Sequence, residues 1–447
     1  MSFRLLHVTS KPYCSTHGGL EVYLRQLSHT QAKAGIEVSV LSILWSGDDL
    51  EIVQCVPDPE IKNVEIWEIH IPEKLKRKSE KDYWYDLFEK IKEFLIHGNF
   101  DVVHTHHGFA EISAAVCKEL KIPCVYTVHC SEICCITGTL IKTDASFCDG
   151  IYDERKCLRC CGQFLPLSGF WNIFLRIIPN SLRCYLEDSL ASYPYIPFIT
   201  PLLQQSRLLG EMRRHLDILR QTDALIAPSR AVKSLVERQG GFHNVSVIPH
   251  GVVPEEGVVY PKINNNDVIN FYYVGRLCRE KGIHVMLEAF RGIPKTRYQL
   301  HIIGAPGSKY ETRYADHLKN KYHDYPVHWY GKVPHDELKN MVERFHVMIH
   351  PAICFETFGL TISEALNMKK PVLASRCGGP EMQIQDGVNG WLVQKNDAKS
   401  IRDILAEIIR KPDLLNIFSE RCSVYTFQEH YDKVSNLYLK VIHSCQK

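Results

Sequence analysis

FYYVGRLCREKG, residues Phe271–Gly282, begins as a strand and ends at the entrance to a helix. Phe271 to Val274 are aromatic or β-branched, which suits a buried strand. Gly275 then breaks the run, and Arg276, Arg279 and Lys281 follow before Gly282. A short apolar strand handing over to a charged turn and then a helix is the repeating unit of a parallel sheet. Downstream, QLHIIG, VHWYG, HVMIHPA and PVLAS repeat the pattern, each separated by a helix. Upstream, strands are read at Leu5–Thr9, Val38–Ser42, Val64–Ile71, Val102–His106, Val125–His129, Ala224–Ala227 and Val245–Pro249. The helix GLEVYLRQLSHTQAKAG closes on Gly35.

A chain of 447 residues is too long for one ordinary core. The expected architecture is α/β, with two Rossmann-like, doubly wound parallel-sheet domains facing a cleft. Residues 1–251 form the first domain and carry a cysteine-rich insertion at 130–162. VVPEEGVVYPKINNND, residues 252–267, lacks any helical or strand period and reads as a linker. Residues 268–426 form the second domain. Residues 427–447 carry helical apolar spacing and are expected to pack back on the first domain.

Apolar residues make up 45% and charged residues 23%, so the chain is globular rather than disordered. Fifty-three Lys and Arg stand against 51 Asp and Glu, which gives no broad attraction to nucleic acid. MSFRLLHVTS has too short an apolar run for a signal-peptide core and reads as a first strand, so a cytoplasmic protein is expected. Phe164 to Leu209, with Trp171, Phe174, Ile177 and Ile178, is apolar, but proline and charge interrupt it before a membrane-spanning length. Burial against the first domain and peripheral contact with a membrane at its cytosolic face stand as the two readings of that stretch.

In open parallel sheets ligands sit beyond the carboxyl ends of strands, where helix N-termini present backbone N–H groups. After the first strand come Gly18 and Gly19, which let a backbone approach a phosphate or sugar; an ordinary turn is the alternative. After Val274, Arg276 and Lys281 offer a fork and a point charge to a diphosphate. After HVMIHPA comes ETFGLTISE, Glu356–Glu364, with its helix expected to begin near Phe358. Glu356 then precedes the helix and Glu364 lies about two turns inside it. One carboxylate reaches a sugar hydroxyl and the other a ribose diol, with the N–H groups of Phe358, Gly359 and Leu360 facing phosphate between them.

These segments resemble the family-4 retaining glycosyltransferases, the group-1 glycosyl transferases of GT-B fold. GRLCREKG matches the family's G-R-L-x-x-x-K-G segment, ETFGLTISE its E-x7-E element, and PVLASRCGGPEMQIQDGVNGWLV the part that follows. IAPSRAVKSLVERQGG and VSVIPHGV resemble the end of the family's first domain. The resemblance implies that Arg276 and Lys281 bind the donor diphosphate, that Glu364 holds the ribose, and that Glu356 holds the transferred sugar. His129 matches the family's active-site histidine, but Cys130 stands where relatives often have Asp. The implied reaction moves a sugar, with retention, from a UDP- or GDP-sugar to a hydroxyl of a glycan, glycolipid or small molecule. No cofactor is implied for that step. A nucleotide-sugar epimerase, a sugar phosphorylase and a non-catalytic nucleotide-sugar-binding subunit are the competing functions.

His104, His106 and His107 follow another strand and read as cleft lining or core, because no further imidazole or carboxylate can be placed beside them. The insertion holds seven of the 17 cysteines. Cys157 and Cys160 have metal-ligand spacing, and Cys148 with Cys134 or Cys135 would complete the four thiolates a structural zinc prefers. Zinc at Cys134, Cys148, Cys157 and Cys160, reduced free thiols, a disulfide and an iron–sulfur cluster remain as alternatives.

Overall fold

The computed structural model describes residues 3–13, 19–55, 63–77, 81–106, 108–135, 137–142, 146–153, 156–157, 160 and 212–445. Gly18, His107 and the whole of Phe164 to Leu209 therefore lie outside the described residues. The chain divides into two compact units: residues 1–228, 232–248 and 431–447 form the first, and 229–231 with 249–430 form the second.

The first unit is built on an eight-stranded sheet. Its strands are β1 (Arg4–Thr9), β2 (Glu37–Trp45), β3 (Glu51–Gln54), β4 (Val64–Ile71), β5 (Val102–Thr105), β6 (Cys124–Thr127), β7 (Ala224–Ala227) and β8 (Val245–Val247). The order is β3-β4-β2-β1-β5-β6-β7-β8, parallel throughout except for β3, which runs antiparallel to β4. All four residues of β5, of β6 and of β7 are buried, as a sheet covered on both faces requires. Leu6, Val8, Leu41, Ile69, Leu87, Ile91, Val103 and Ile112 anchor one face of its core.

The second unit has six parallel strands: β9 (Ile269–Val274), β10 (Tyr298–Ile303), β11 (Val327–Gly331), β12 (Val347–His350), β13 (Val372–Ser375) and β14 (Gly390–Val393). Their order, β11-β10-β9-β12-β13-β14, is the doubly wound 3-2-1-4-5-6 arrangement. The chain reverses its direction of travel between β9 and β12. In the first unit the same reversal falls between β1 and β5. Such switch points open a crevice at the carboxyl ends of the strands.

Three expectations are corrected. The edge strand β3 was not read, because EIVQ is four residues long with three of them exposed, which leaves almost no burial pattern. Residues 252–267 are no loose linker. Ile263 is buried and exchanges two hydrogen bonds with the Asn416 side chain, while the Glu255 N–H donates to Asn367 Oδ1, so this stretch is fixed to the second unit. The helix after β12 spans Leu360–Asn367 rather than starting at Phe358. Gly359 sits at its N-cap with φ 87°, a left-handed conformation that cannot continue a right-handed helix. Glu364 is thus the fifth helical residue, a little over one turn in.

The C-terminal helix spans Phe427–Cys445, and its residues from Tyr431 onward belong to the first unit. Buried Tyr438 on that helix bonds to His104 on β5 and to Gln31. Among the described residues no helix is long and apolar enough to cross a membrane.

Candidate functional site

In the second unit the turn after β9 and the loop after β12 meet at the switch point. Gly282, φ 72°, makes the meeting possible: a Cβ there would lie 1.9 Å from the Pro351 carbonyl oxygen. The contact brings the Lys281 ammonium onto Glu356 Oε1, across 75 residues of sequence. Burial works against the charge on Lys281, but the Glu356 carboxylate outweighs it and raises the ammonium's pKa. Burial likewise pushes Glu356 up, and Lys281 more than reverses this, so the carboxyl lies below its ordinary range. Both groups are charged at neutral pH and neutralise each other.

His350, the last residue of β12, lies 3.9 Å from the same Glu356 oxygen. Burial lowers its pKa to about 4, so it is a neutral neighbour and leaves the ion pair to Lys281. Arg276 sits at the end of β9 with its side chain 59% exposed and its Nε 3.6 Å from Glu311 Oε1. The two cations therefore differ: Lys281 is half-buried on a fixed partner, and Arg276 reaches outward.

The segment Cys377-Gly378-Gly379 pins the Glu356 loop from beneath. The Glu356 N–H donates to the Cys377 carbonyl at 2.8 Å, and the Gly379 N–H donates to the Glu356 carbonyl at 2.7 Å. Gln383 Nε2 donates to the Phe358 carbonyl at 2.6 Å, and Ser363 Oγ donates to Gln383 Oε1 at 2.6 Å. No side chain caps the helix at Gly359, so its first N–H groups, from Leu360 on, point toward the loop with the positive end of the helix dipole. Phe358 is buried, whereas Glu364 is exposed on that helix.

Gly379 shows how tight this is, because a Cβ there would lie 2.3 Å from Phe358 Cα. Gly379→Ala is expected to lower stability by about 1–3 kcal/mol, the range for overpacking against backbone. Urea unfolding checks it, and an unchanged midpoint would show that the loop yields freely.

In the first unit, His129 stands two residues beyond β6 and is half-buried. The Tyr23 ring lies edge-on to it at 5.3 Å, and its Nε2 is 3.1 Å from His106 Nδ1. Gly19 opens the helix Gly19–Lys33, which carries Tyr23 and Gln31. The missing imidazole beside His104 and His106 is His7, on β1. Among the described residues these three form the one group of His, Cys, Asp or Glu side chains whose ligand atoms lie within 4.8 Å of one another. All six of their ring nitrogens nevertheless have hydrogen-bond partners: each other, Gln31, Thr127, Tyr438 and His129. The set is a hydrogen-bonded network, and binding a metal would require dismantling it. His7 escaped the sequence reading because it lies 97 residues before His104, on the strand paired with β5.

The cysteines of the insertion are gathered without converging. The Cys134 thiol is buried and faces the Ser131 carbonyl at 3.4 Å, and Cys148 Sγ faces Asp149 and the Gly150 N–H. Burial raises the Cys134 and Cys157 thiols, the latter to about 11, which keeps them protonated at neutral pH. Among the described residues Cys134, Cys148, Cys157 and Cys160 do not bring three or more ligand atoms within 4.8 Å of one another, so the four thiols read from the sequence are not drawn around a common point.

The model of the family "Glycosyl transferases group 1" matches residues 261–423, and that of "Glycosyltransferase Family 4" matches residues 17–147. The chain belongs to the family-4, group-1 glycosyltransferases. An uncharacterized glycosyltransferase of Methanocaldococcus jannaschii is 23% identical over 212 residues, 47% of this chain and 57% of its own length. The chain thus spans little more than half of the first curated relatives it matches. The D-inositol 3-phosphate glycosyltransferase of Arthrobacter sp. is 22% identical over 422 residues, 92% of this chain and 87% of its own. The crystal structure of Anabaena HepE in complex with UDP superposes with a TM-score of 0.63 at 14% identity, covering 98% of this chain and all of that one. The fold of this family-4 member is accordingly GT-B, two parallel-sheet α/β domains.

Proposed function

We propose that this family-4 member transfers a sugar from a nucleoside diphosphate to an acceptor hydroxyl, with retention of anomeric configuration. The observation that carries the reading is the convergence of Lys281 and Glu356 at the β9/β12 switch point, beside a helix N-terminus that no side chain caps. A diphosphate needs cations and N–H donors, and a sugar's hydroxyls need a carboxylate acceptor. Arrival of the diphosphate draws Lys281 away from Glu356 and frees that carboxylate for the sugar. Arg276 meets the outer phosphate, and Glu364 the ribose. The donor class is a UDP- or GDP-sugar; the UDP held by HepE of the same fold supports the first. The acceptor is a hydroxyl-bearing glycan, glycolipid or small molecule.

In the transition state, negative charge develops on the leaving diphosphate. Lys281, Arg276 and the N–H groups of the helix stand where it forms, and preorganised groups of this kind supply the largest catalytic term. The departing oxygen then takes the acceptor's proton as the acceptor attacks from the same face. Neutralisation of the leaving group by the chain's own cations makes a divalent metal redundant. Nucleoside diphosphate should appear only when donor and acceptor are both supplied, and its rate should persist in EDTA. Immediate loss on chelation, restored by Mg or Mn, or release without acceptor at the same rate, overturns the reading.

A further inference from the structure

We propose that His350 is the standby partner of Glu356: when a nucleoside diphosphate draws Lys281 away, His350 turns its Nε2–H onto Glu356 Oε1 and keeps the carboxylate charged and aimed at the sugar. His350 is thus a positioning residue, and the proposal rests on the diphosphate site proposed above.

The observation that carries it is a buried imidazole without bonds. His350 ends β12 at the switch point, its backbone paired with Ala374 on β13. The side chain is 5% exposed, and neither Nδ1 nor Nε2 has a hydrogen-bond partner. Buried polar side chains are nearly always bonded, because an unsatisfied one gives up its hydration for nothing. An aliphatic side chain would fill the same space without that loss. The charged groups that face the ring are Glu356 and Lys281, and Glu356 Oε1 lies 3.9 Å from Nε2. That separation is about 1 Å too long for a hydrogen bond. Lys281 already occupies the same oxygen, so two donors address one carboxylate oxygen and the ammonium holds it.

Glu356 cannot be left alone when the ammonium departs. Its side chain is 13% exposed, burial pushes its carboxyl up, and Lys281 is the main group that reverses this. An unpartnered Glu356 would take up a proton and offer the sugar a donor where an acceptor is needed. The Cys354 thiol lies 3.8 Å from the same oxygen, but a thiol is a weak donor. The imidazole N–H is a stronger one. Burial lowers the ring to about 4, so in the ligand-free site it stays neutral and does not compete with Lys281. After the hand-over Oε1 accepts from His350, and Oε2 is left for a sugar hydroxyl.

His350→Leu and His350→Gln test the proposal in the full chain, by urea unfolding without ligand and by calorimetric titration with UDP and GDP. His350→Leu removes two unsatisfied nitrogens, so it should be at least as stable as the unmutated chain. It should nevertheless bind the nucleotide about tenfold more weakly, the value of one hydrogen bond to a charged group. His350→Gln, whose amide nitrogen stands near the place of Nε2, should restore the affinity. Unchanged affinity in His350→Leu, or a His350→Gln variant as weak as His350→Leu, overturns the hand-over. Loss of stability in His350→Leu would make the ring a packing residue and overturn it too. A second measurement needs no ligand. In Lys281→Ala labelled with 15N-histidine, His350, assigned by its loss in Lys281→Ala with His350→Gln, should show a hydrogen-bonded Nε2–H that the unmutated chain lacks. Ring-nitrogen signals identical in the two chains overturn the proposal. Failure of the unmutated chain to bind UDP or GDP would remove the donor reading, and the ligand-free signal would still decide whether His350 replaces Lys281 on Glu356.

Discussion

Lys281→Ala is expected to lower kcat/KM by about two to three orders of magnitude, with most of the loss in kcat. The lost group meets charge that appears on the leaving diphosphate, and removing one such donor costs roughly 2.7–4 kcal/mol in the transition state. The structure adds a second consequence. Glu356 has only 13% of its side chain exposed and is held ionised by Lys281. Removing the cation leaves a buried carboxylate uncompensated, an arrangement that costs up to about 3–5 kcal/mol before the group protonates. The single variant should therefore lose stability as well as activity.

Lys281→Ala with Glu356→Gln separates the two effects. The double variant should regain most of the stability, since no charge is left unpaired, while turnover stays at or below that of the single variant. Denaturant unfolding beside steady-state kinetics reads both. Recovery of activity along with stability would reduce the pair to a structural ion pair and remove it from the site.

Acid is expected to unfold this chain well before its carboxylates titrate. His7, His350 and His430 are buried, at 0%, 4% and 0% exposure, and burial lowers each to about 4 from 6.5. Their folded pKa values are depressed, so the unfolded chain binds more protons between the two values. The stability their burial retains is full above about pH 6.5 and is lost as the pH falls toward about 4. At about pH 5 each group has cost roughly 2 kcal/mol by that linkage, and three together reach about 6. That is a large part of the roughly 5–15 kcal/mol that holds an ordinary protein folded. The charged neighbours leave the sign unchanged. His350 faces Glu356 and Lys281 together, and His7 faces Gln31, His104 and His106. Unfolding free energy measured from pH 7.5 to 4.5 should fall steeply below about pH 6. A flat profile down to pH 5 would mean that these rings are solvated or already charged.

What could be read from the sequence, and what could not, divides by range. The strand–turn–helix units were legible because each is local: the run FYYV, the break at Gly275 and the entry at Gly282 lie within one window. The E-x7-E element was legible for the same reason, although the left-handed Gly359 delays the helix by two residues beyond the expected start. Pairings across the sheet were not legible. Lys281 and Glu356 were assigned to different parts of a donor, and nothing in either segment shows that a glycine-sized contact at Gly282 puts them on each other. The imidazole network needs the register of β1 against β5, where His7 stands opposite His104. The cysteine spacing is a signal of another kind: it satisfies a metal pattern in one dimension, and in the fold Cys134 faces the Ser131 carbonyl and Cys148 the Gly150 N–H.

The central claim is that the second unit's switch point is a nucleoside-diphosphate-sugar site in which Lys281 holds the diphosphate. Calorimetric titration of the chain with UDP-, GDP- and ADP-sugars tests it most directly. The account predicts saturable binding of a UDP- or GDP-sugar, weakened at least about tenfold in the Lys281→Ala, Glu356→Gln double variant, since a charged hydrogen bond is worth about 1.5–3 kcal/mol. Binding of equal strength in that folded double variant, or no binding of any nucleoside-diphosphate sugar, would contradict it.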